Sequence, residues 1–299
     1  MASAPAGTGH LERTAAEPRD KSLNTVIVKQ IDEINESIRL FRLEVPKDVP
    51  VIRFLPGQWL DLFPPSISKP GGFTLTSTPA QAASFVADSP PGYLELAVRK
   101  SPDNPAAAWL WQDPSSSILS SEIRVRVGGS FVWPPPAINV RSLRKVIFVA
   151  GGLGVNPLVS MLGAIAEKGD AHTHLEVKFL YSMKDPGGER ETDKMLFLDR
   201  IANIFASEKV KGELKLFLTG GEEEKGVVSC NEVDVPFWGR RMNEGDVEAA
   251  VGEADKRFSV VYVCGVPDMT DGFVTRLTAT EKGMGMGMET RRVLCEKWW

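Results

Sequence analysis

Gly151-Gly152-Leu153-Gly154-Val155-Asn156-Pro157 stands between an apolar, β-branched run at 145–150 and a helical pattern over 157–168. The stretch reads as strand, tight turn and helix start. Asparagine is a favoured N-cap, and proline is pre-organised for the first helical position. Such a helix start presents N–H groups and partial positive charge, and the glycines let a diphosphate approach the backbone. A glycine turn used only for packing has the same appearance, so the stretch alone leaves both readings open.

Downstream, strands are predicted at 175–181, 214–219, 258–264 and 293–298, with helices at 191–206, 246–251 and 269–280. This alternation predicts an α/β doubly wound parallel sheet over residues 141–299. Cys264-Gly265-Val266-Pro267-Asp268-Met269 then falls at the carboxyl end of a strand, where such sheets bind ligands. A buried cysteine is equally an ordinary small apolar residue. The alternating 283–288 Gly-Met run reads as a turn, and His172-Thr173-His174 as an exposed strand edge, so no metal site is expected.

Upstream the segments are short: 24–31, 37–45, 59–63, 93–99 and 123–127 carry β patterns separated by Pro, Gly, Asp and Ser. They predict a small antiparallel β-barrel over 23–140. Pro134-Pro135-Pro136 and the following polar residues form a stiff spacer at the boundary. Residues 1–22, rich in Ala, Gly and Pro, read as a disordered arm. A mitochondrial transit peptide is the alternative, disfavoured because Glu12, Glu17 and Asp20 offset Arg13, Arg19 and Lys21. The expected compartment is accordingly the cytoplasm, with the mitochondrion second.

The barrel region holds two more candidate pieces. Asn104-Pro105 starts a helix through Ala106-Ala107-Ala108, just after the strand ending Val98-Arg99-Lys100, and offers a second phosphate-suited helix end. Gly71-Gly72-Phe73-Thr74-Leu75 sets an aromatic ring beside a hydroxyl on a β-segment, a pairing suited to a polar ring system and equally to a plain hairpin.

Composition narrows the function classes. The 299 residues suggest two domains, and 42% apolar with 25% charged residues is a globular mix. Thirty-five basic against 39 acidic residues give a net charge of −4, without the basic excess of a nucleic-acid binder. No apolar run reaches the roughly 20 residues of a membrane span. Three scattered cysteines exclude a four-cysteine iron–sulfur cluster and a local zinc knuckle.

These motifs, in this order, resemble the ferredoxin–NADP reductase and cytochrome b5 reductase superfamily over residues 24–299. The features closest to its little-characterised oxidoreductase NAD-binding domain-containing branch are Gly57-Gln58-Trp59, Gly71-Gly72-Phe73, Val125–Gly129, Gly151–Pro157, Cys264-Gly265 and Glu296-Lys297-Trp298-Trp299. The resemblance implies an FAD-binding barrel followed by an NAD(P)-binding domain, with hydride passing from NADH or NADPH to the flavin. It implies that Thr74 holds the flavin N5 edge and that Phe73 packs on the isoalloxazine beside Gly71, Gly72 and Leu75. Val98, Arg99, Asn104, Ala106 and Ala107 would meet the flavin's phosphate side. Gly151, Gly152, Gly154, Val155, Asn156 and Pro157 would cradle the dinucleotide pyrophosphate. Cys264, with Gly265, Val266 and Met269, would shape the nicotinamide pocket, and Trp299 would cover the flavin. Thr74, Cys264 and Trp299 are thus the expected catalytic set.

The likeness departs at three places. Gly71 stands where the superfamily usually carries an arginine for the flavin phosphate, Ala106-Ala107-Ala108 replace hydroxyl residues, and Leu153 replaces a Thr or Ser. Glu222-Glu223-Glu224 after the third strand would repel a 2′-phosphate, so NADH is expected over NADPH. Electrons are expected to leave to a separate acceptor, protein or small molecule. The alternatives are a non-redox nucleotide-sensing or protein-binding module on this fold, and a flavoenzyme that reduces a small organic substrate directly.

Overall fold

The computed structural model describes residues 9–47, 50–83, 91–114, 118–169, 174–231, 233–281 and 283–297. His172, Trp298 and Trp299 lie outside the described residues. The chain divides into two units, Met1–Val132 and Trp133–Trp299. This break precedes the expected 140/141 boundary: Trp133 is buried, its ring 6.3 Å from that of Tyr262, so the proline-rich spacer belongs with the second unit.

In the first unit, β1 (Asn24–Asn35), β2 (Ile38–Glu44), β3 (Trp59–Phe63), β4 (Gly71–Thr74), β5 (Tyr93–Arg99) and β6 (Glu122–Gly128) pair antiparallel in the order β4-β3-β6-β1-β2-β5. A bridge between Leu75 and Leu96 joins the two outer strands and closes the expected barrel. Side-chain alternation puts Val26, Val28, Phe41, Leu43, Leu60, Leu62 and Val125 into one apolar interior. Two short helices, α2 (Pro79–Ala82) and α3 (Pro105–Leu110), lie among these strands, and Ala106, Ala107 and Leu110 of α3 join the interior.

The segment from residue 9 to 22 is ordered, which corrects the expectation of a disordered arm there. It begins with α1 (His10–Arg13), and Arg19 bridges Gly128 of β6. The cause is Asp61, an acid wholly buried in β3. A buried carboxylate must be paired. His10 Nε2 at 2.9 Å, Arg19 Nε at 3.0 Å and Arg126 Nη2 at 2.5 Å supply the partners, two of them from this segment.

In the second unit the strands are β7 (Lys145–Gly151), β8 (Glu176–Lys184), β9 (Lys211–Thr219), β10 (Lys225–Cys230), β11 (Val233–Trp238), β12 (Ser259–Gly265) and β13 (Val293–Lys297). Their order is β10-β11-β9-β8-β7-β12-β13, parallel except where β10 meets β11. The helices are α4 (Val155–Glu167), α5 (Leu198–Ala206), α6 (Glu244–Val251) and α7 (Pro267–Thr278). Every residue of β12 is buried, as in a parallel strand covered on both faces. The sequence pattern anticipated five of these strands. The β10–β11 hairpin is an addition, with Pro236 inside a strand where proline normally argues against one. Helix α5 starts at Leu198 rather than 191 because Phe197 adopts a left-handed φ of 59°, which a helix cannot contain.

Candidate functional site

The predicted residues fall into two groups, one in each unit. In the second unit, β7 ends at Gly151, a 3-10 turn covers Gly152–Gly154, and α4 begins at Val155. Asn156 and Pro157 are therefore the second and third residues of the helix, and Asn156 is not its cap. The backbone closes this turn, with the Val155 N–H reaching the Gly152 and Leu153 carbonyls, and Gly152 takes a φ of +53° to allow it. The N-cap is Gly154, no side chain caps it, and the first helical turn holds no acidic residue. The positive end of α4 is thus neither capped nor neutralised by its own side chains, which is the electrostatic requirement for anion binding.

Gly154 lies so close to β12 that a Cβ there would strike the Cys264 carbonyl and come within 2.8 Å of the Gly265 nitrogen. Cys264 is buried between Ala150 of β7 and Glu296 of β13. Val266 is exposed and caps α7 without a side-chain bond. Met269, half-buried at the start of α7, lies over both strand ends. A Cβ on Gly151 would sit 2.8 Å from its sulfur, and one on Gly265 would strike its methyl. Beside it the Thr270 hydroxyl is buried with no hydrogen-bond partner. The structure thus brings the Gly151–Gly154 turn, Cys264, Gly265 and Met269 together at the ends of β7 and β12, with Val266 next in the chain. Thr270 was not anticipated; its signal was its place in the first turn after a strand-end Cys-Gly.

At the neighbouring strand ends, Arg190 holds Asp185 through Nε at 3.1 Å and Nη2 at 2.9 Å, and reaches Glu223 through Nη1 at 2.9 Å. It also lies 4.5 Å over the Phe237 ring. Burial works to raise the Asp185 carboxyl, but Arg190 and the Gly187 amide outweigh it and hold it below the usual carboxylate range. Glu223 is therefore countered, while Glu222 and Glu224 stay exposed. The sequence reading weighed all three acids alike, since nothing local pairs residue 190 with 223.

In the first unit, strand register separates the β3 and β4 side chains. Trp59 faces Thr74 and Asp61 faces Gly72 on one side; Leu60 faces Phe73 and Leu62 faces Gly71 on the other. The first side is covered by His10, whose ring is 4.8 Å from that of Trp59, and a Cβ on Gly72 would strike that imidazole. The second side is the apolar interior. Phe73 is largely buried there with Ala106, Ala107, Leu75 and Val98, leaving 8% of the residue exposed. Arg99 is exposed, and Leu75 donates its N–H to the Gln58 carbonyl at 3.0 Å.

A flavin fits this group at one end only. The Thr74 hydroxyl is buried without a hydrogen-bond partner, as a group awaiting a polar ring edge would be. The phosphate end does not fit. A Cβ on Gly71 would lie 2.7 Å from Ala106 Cβ and 2.7 Å from the Phe73 ring, so the space of the missing arginine is filled. Asn104 Oδ1 accepts from the Ala106 and Ala107 N–H groups at 3.1 and 3.3 Å, occupying the donors expected for a phosphate.

No family model matches the chain. Among curated proteins, the oxidoreductase NAD-binding domain-containing protein 1 of Danio rerio is 31% identical over 298 residues, covering 98% of each chain. The chain belongs to this family. Two solved structures share its fold. The ferredoxin reductase in carbazole 1,9a-dioxygenase matches with a TM-score of 0.63 at 17% identity, over 93% of this chain and 70% of that one. A ferredoxin NADP+ reductase from Neisseria gonorrhoeae with bound FAD and NADP matches with a TM-score of 0.62 at 15% identity, over 92% and 99%. The family and its structural neighbours agree with the superfamily that the motif order indicated, and its members carry the oxidoreductase name. No helix among the described residues is long and apolar enough to cross a membrane.

Proposed function

We propose that this family member is an NAD(P)H-dependent reductase that uses a flavin and hands electrons to a separate acceptor. The observation that carries the reading is the α4 N-terminus: uncapped by a side chain, free of acids in its first turn and seated on Gly151–Gly154 at the end of β7. The amides of this turn bind the dinucleotide pyrophosphate, and α4 supplies the positive potential. Met269 and Cys264 form the apolar wall beside it and keep water from the nicotinamide, while Thr270 offers a hydroxyl to its polar edge. Glu222 and Glu224, together with Asp185 and Glu223 sharing the single charge of Arg190, leave the adenosine side acidic, which favours NADH over NADPH. In the first unit Thr74 hydrogen-bonds the flavin ring edge and orients it. A bound flavin supplies a two-electron hydride acceptor. The acceptor that follows is an electron-transfer protein or a small oxidant, since the three cysteines cannot hold a four-cysteine cluster.

The test is an anaerobic spectrum of the purified chain with added flavin, before and after NADH and then NADPH. Bleaching of the flavin band near about 450 nm supports the reading. Absence of bleaching with both nucleotides removes it, and leaves the non-redox nucleotide-binding module, which the filled space at Gly71 favours.

A further inference from the structure

The two ends of the first-unit site do not match one tightly held dinucleotide flavin. The ring end keeps a buried hydroxyl in want of a partner at Thr74. The phosphate end is closed by Phe73 and Ala106 over Gly71, and Asn104 already engages the amides of α3. Of the cations on and after β2 and β5, Arg39 and Lys100 have contacts of their own, while Arg99 is exposed. Arg39 binds Glu33 and the Gln112 carbonyl and lies 4.5 Å over the Trp111 ring, with Lys100 at 5.5 Å from the same ring.

We propose that the chain takes flavin as an exchangeable substrate, recognised through its ring and not through its phosphates. The inference rests on the reductase reading above and names the first electron acceptor within it. In the reaction, a carbon–hydrogen bond of the dihydronicotinamide breaks and a nitrogen–hydrogen bond forms on the flavin. A solvent proton completes the dihydroflavin, which departs with both electrons and leaves the oxidised dinucleotide behind. Riboflavin, FMN and FAD serve alike, because the space at Gly71 is filled and Asn104 takes the α3 amides that a phosphate would use.

The experiment is a fluorescence-quenching titration of the full chain with riboflavin, FMN and FAD, repeated on Arg99→Ala, whose exposed guanidinium at the end of β5 is a candidate to replace the missing arginine. The expected dissociation constants for the three flavins agree within about threefold, a difference under 1 kcal/mol, and Arg99→Ala leaves that agreement intact. Initial rates with NADH then saturate in added riboflavin. FAD binding tenfold or more tighter than riboflavin, or a tenfold loss for FAD alone in Arg99→Ala, overturns the proposal while leaving the reductase reading standing. Failure of all three flavins to bind overturns both.

Discussion

The imidazole of His10 and the wholly buried carboxylate of Asp61 meet at 2.9 Å, tying the N-terminal segment to the middle of strand β3. Asp61 is the centre of the clasp, for Arg19 and Arg126 reach its other oxygen. Burial works to raise this carboxyl, but His10, Arg126 and Arg19 outweigh it and hold it below its usual value. A group depressed on folding stabilises above its unfolded pKa, about 3.9 for Asp, and that contribution disappears as pH falls through the lower folded value. Asp61→Asn should therefore cost about 2–3 kcal/mol at neutral pH, the lower side of a broken buried pair because both guanidinia keep some solvent. Urea unfolding at pH 7 and pH 3 measures it. The gap between variant and parent should narrow at the lower pH; an equal gap at both would remove the argument.

Thr74→Val should separate stability from chemistry. The hydroxyl has no partner in the protein, so its loss removes an unsatisfied buried group and should hold or raise stability by up to about 1 kcal/mol. Flavin reduction by NADH should fall about tenfold, the value of one hydrogen bond of roughly 1.4 kcal/mol. A fall in melting temperature with unchanged reduction would mean that Thr74 serves packing alone.

Glu222→Arg should shift kcat/KM toward NADPH by about tenfold, since one exposed repulsive charge becomes attractive beside a 2′-phosphate. Arginine at the adjoining Gly220 is a poorer test, because that residue has a φ of +82° that a side chain strains. Glu223→Gln should give a smaller shift in the same direction by releasing Arg190 from one of its two acids. An unchanged ratio of kcat/KM for the two nucleotides in both variants would place the adenosine elsewhere.

Gly154→Ala should destabilise the second unit by about 1–3 kcal/mol, the cost of overpacking, because the new methyl meets backbone of β12 and not a flexible side chain. The same shift should raise the KM for NADH, since in the proposed reading the amides of this turn bind the pyrophosphate. Thermal unfolding together with steady-state kinetics tests both, and a variant with parental melting temperature and KM would contradict the close approach.

The architecture was largely legible in the sequence, because apolar period and glycine turns act locally. The strands at 59–63 and 93–99 and the Gly151–Gly154 turn follow directly from pattern. What depended on partners distant in sequence was not legible. The order of residues 9–22 follows from Asp61, some forty to fifty positions away, as the separations of 51 to His10 and 42 to Arg19 show. Asn156 looked like the cap of α4 because a residue's type carries no record of how the preceding turn closes. Phe73 looked like a stacking ring, yet the β3–β4 register turns it inward with Leu60. The Asp185–Arg190–Glu223 group needed two strand ends to be adjacent before its charges could meet.

The crowding at Gly71 also limits which mutational paths are open. An arginine at this position is not one substitution away, for its first carbon would meet both Ala106 and the Phe73 ring at 2.7 Å. The packing of these neighbours would have to give first, and their place in the apolar interior makes that rearrangement destabilising. Packing thus favours glycine at position 71 independently of any ligand, and a long side chain there calls for compensating change in the core of the first unit.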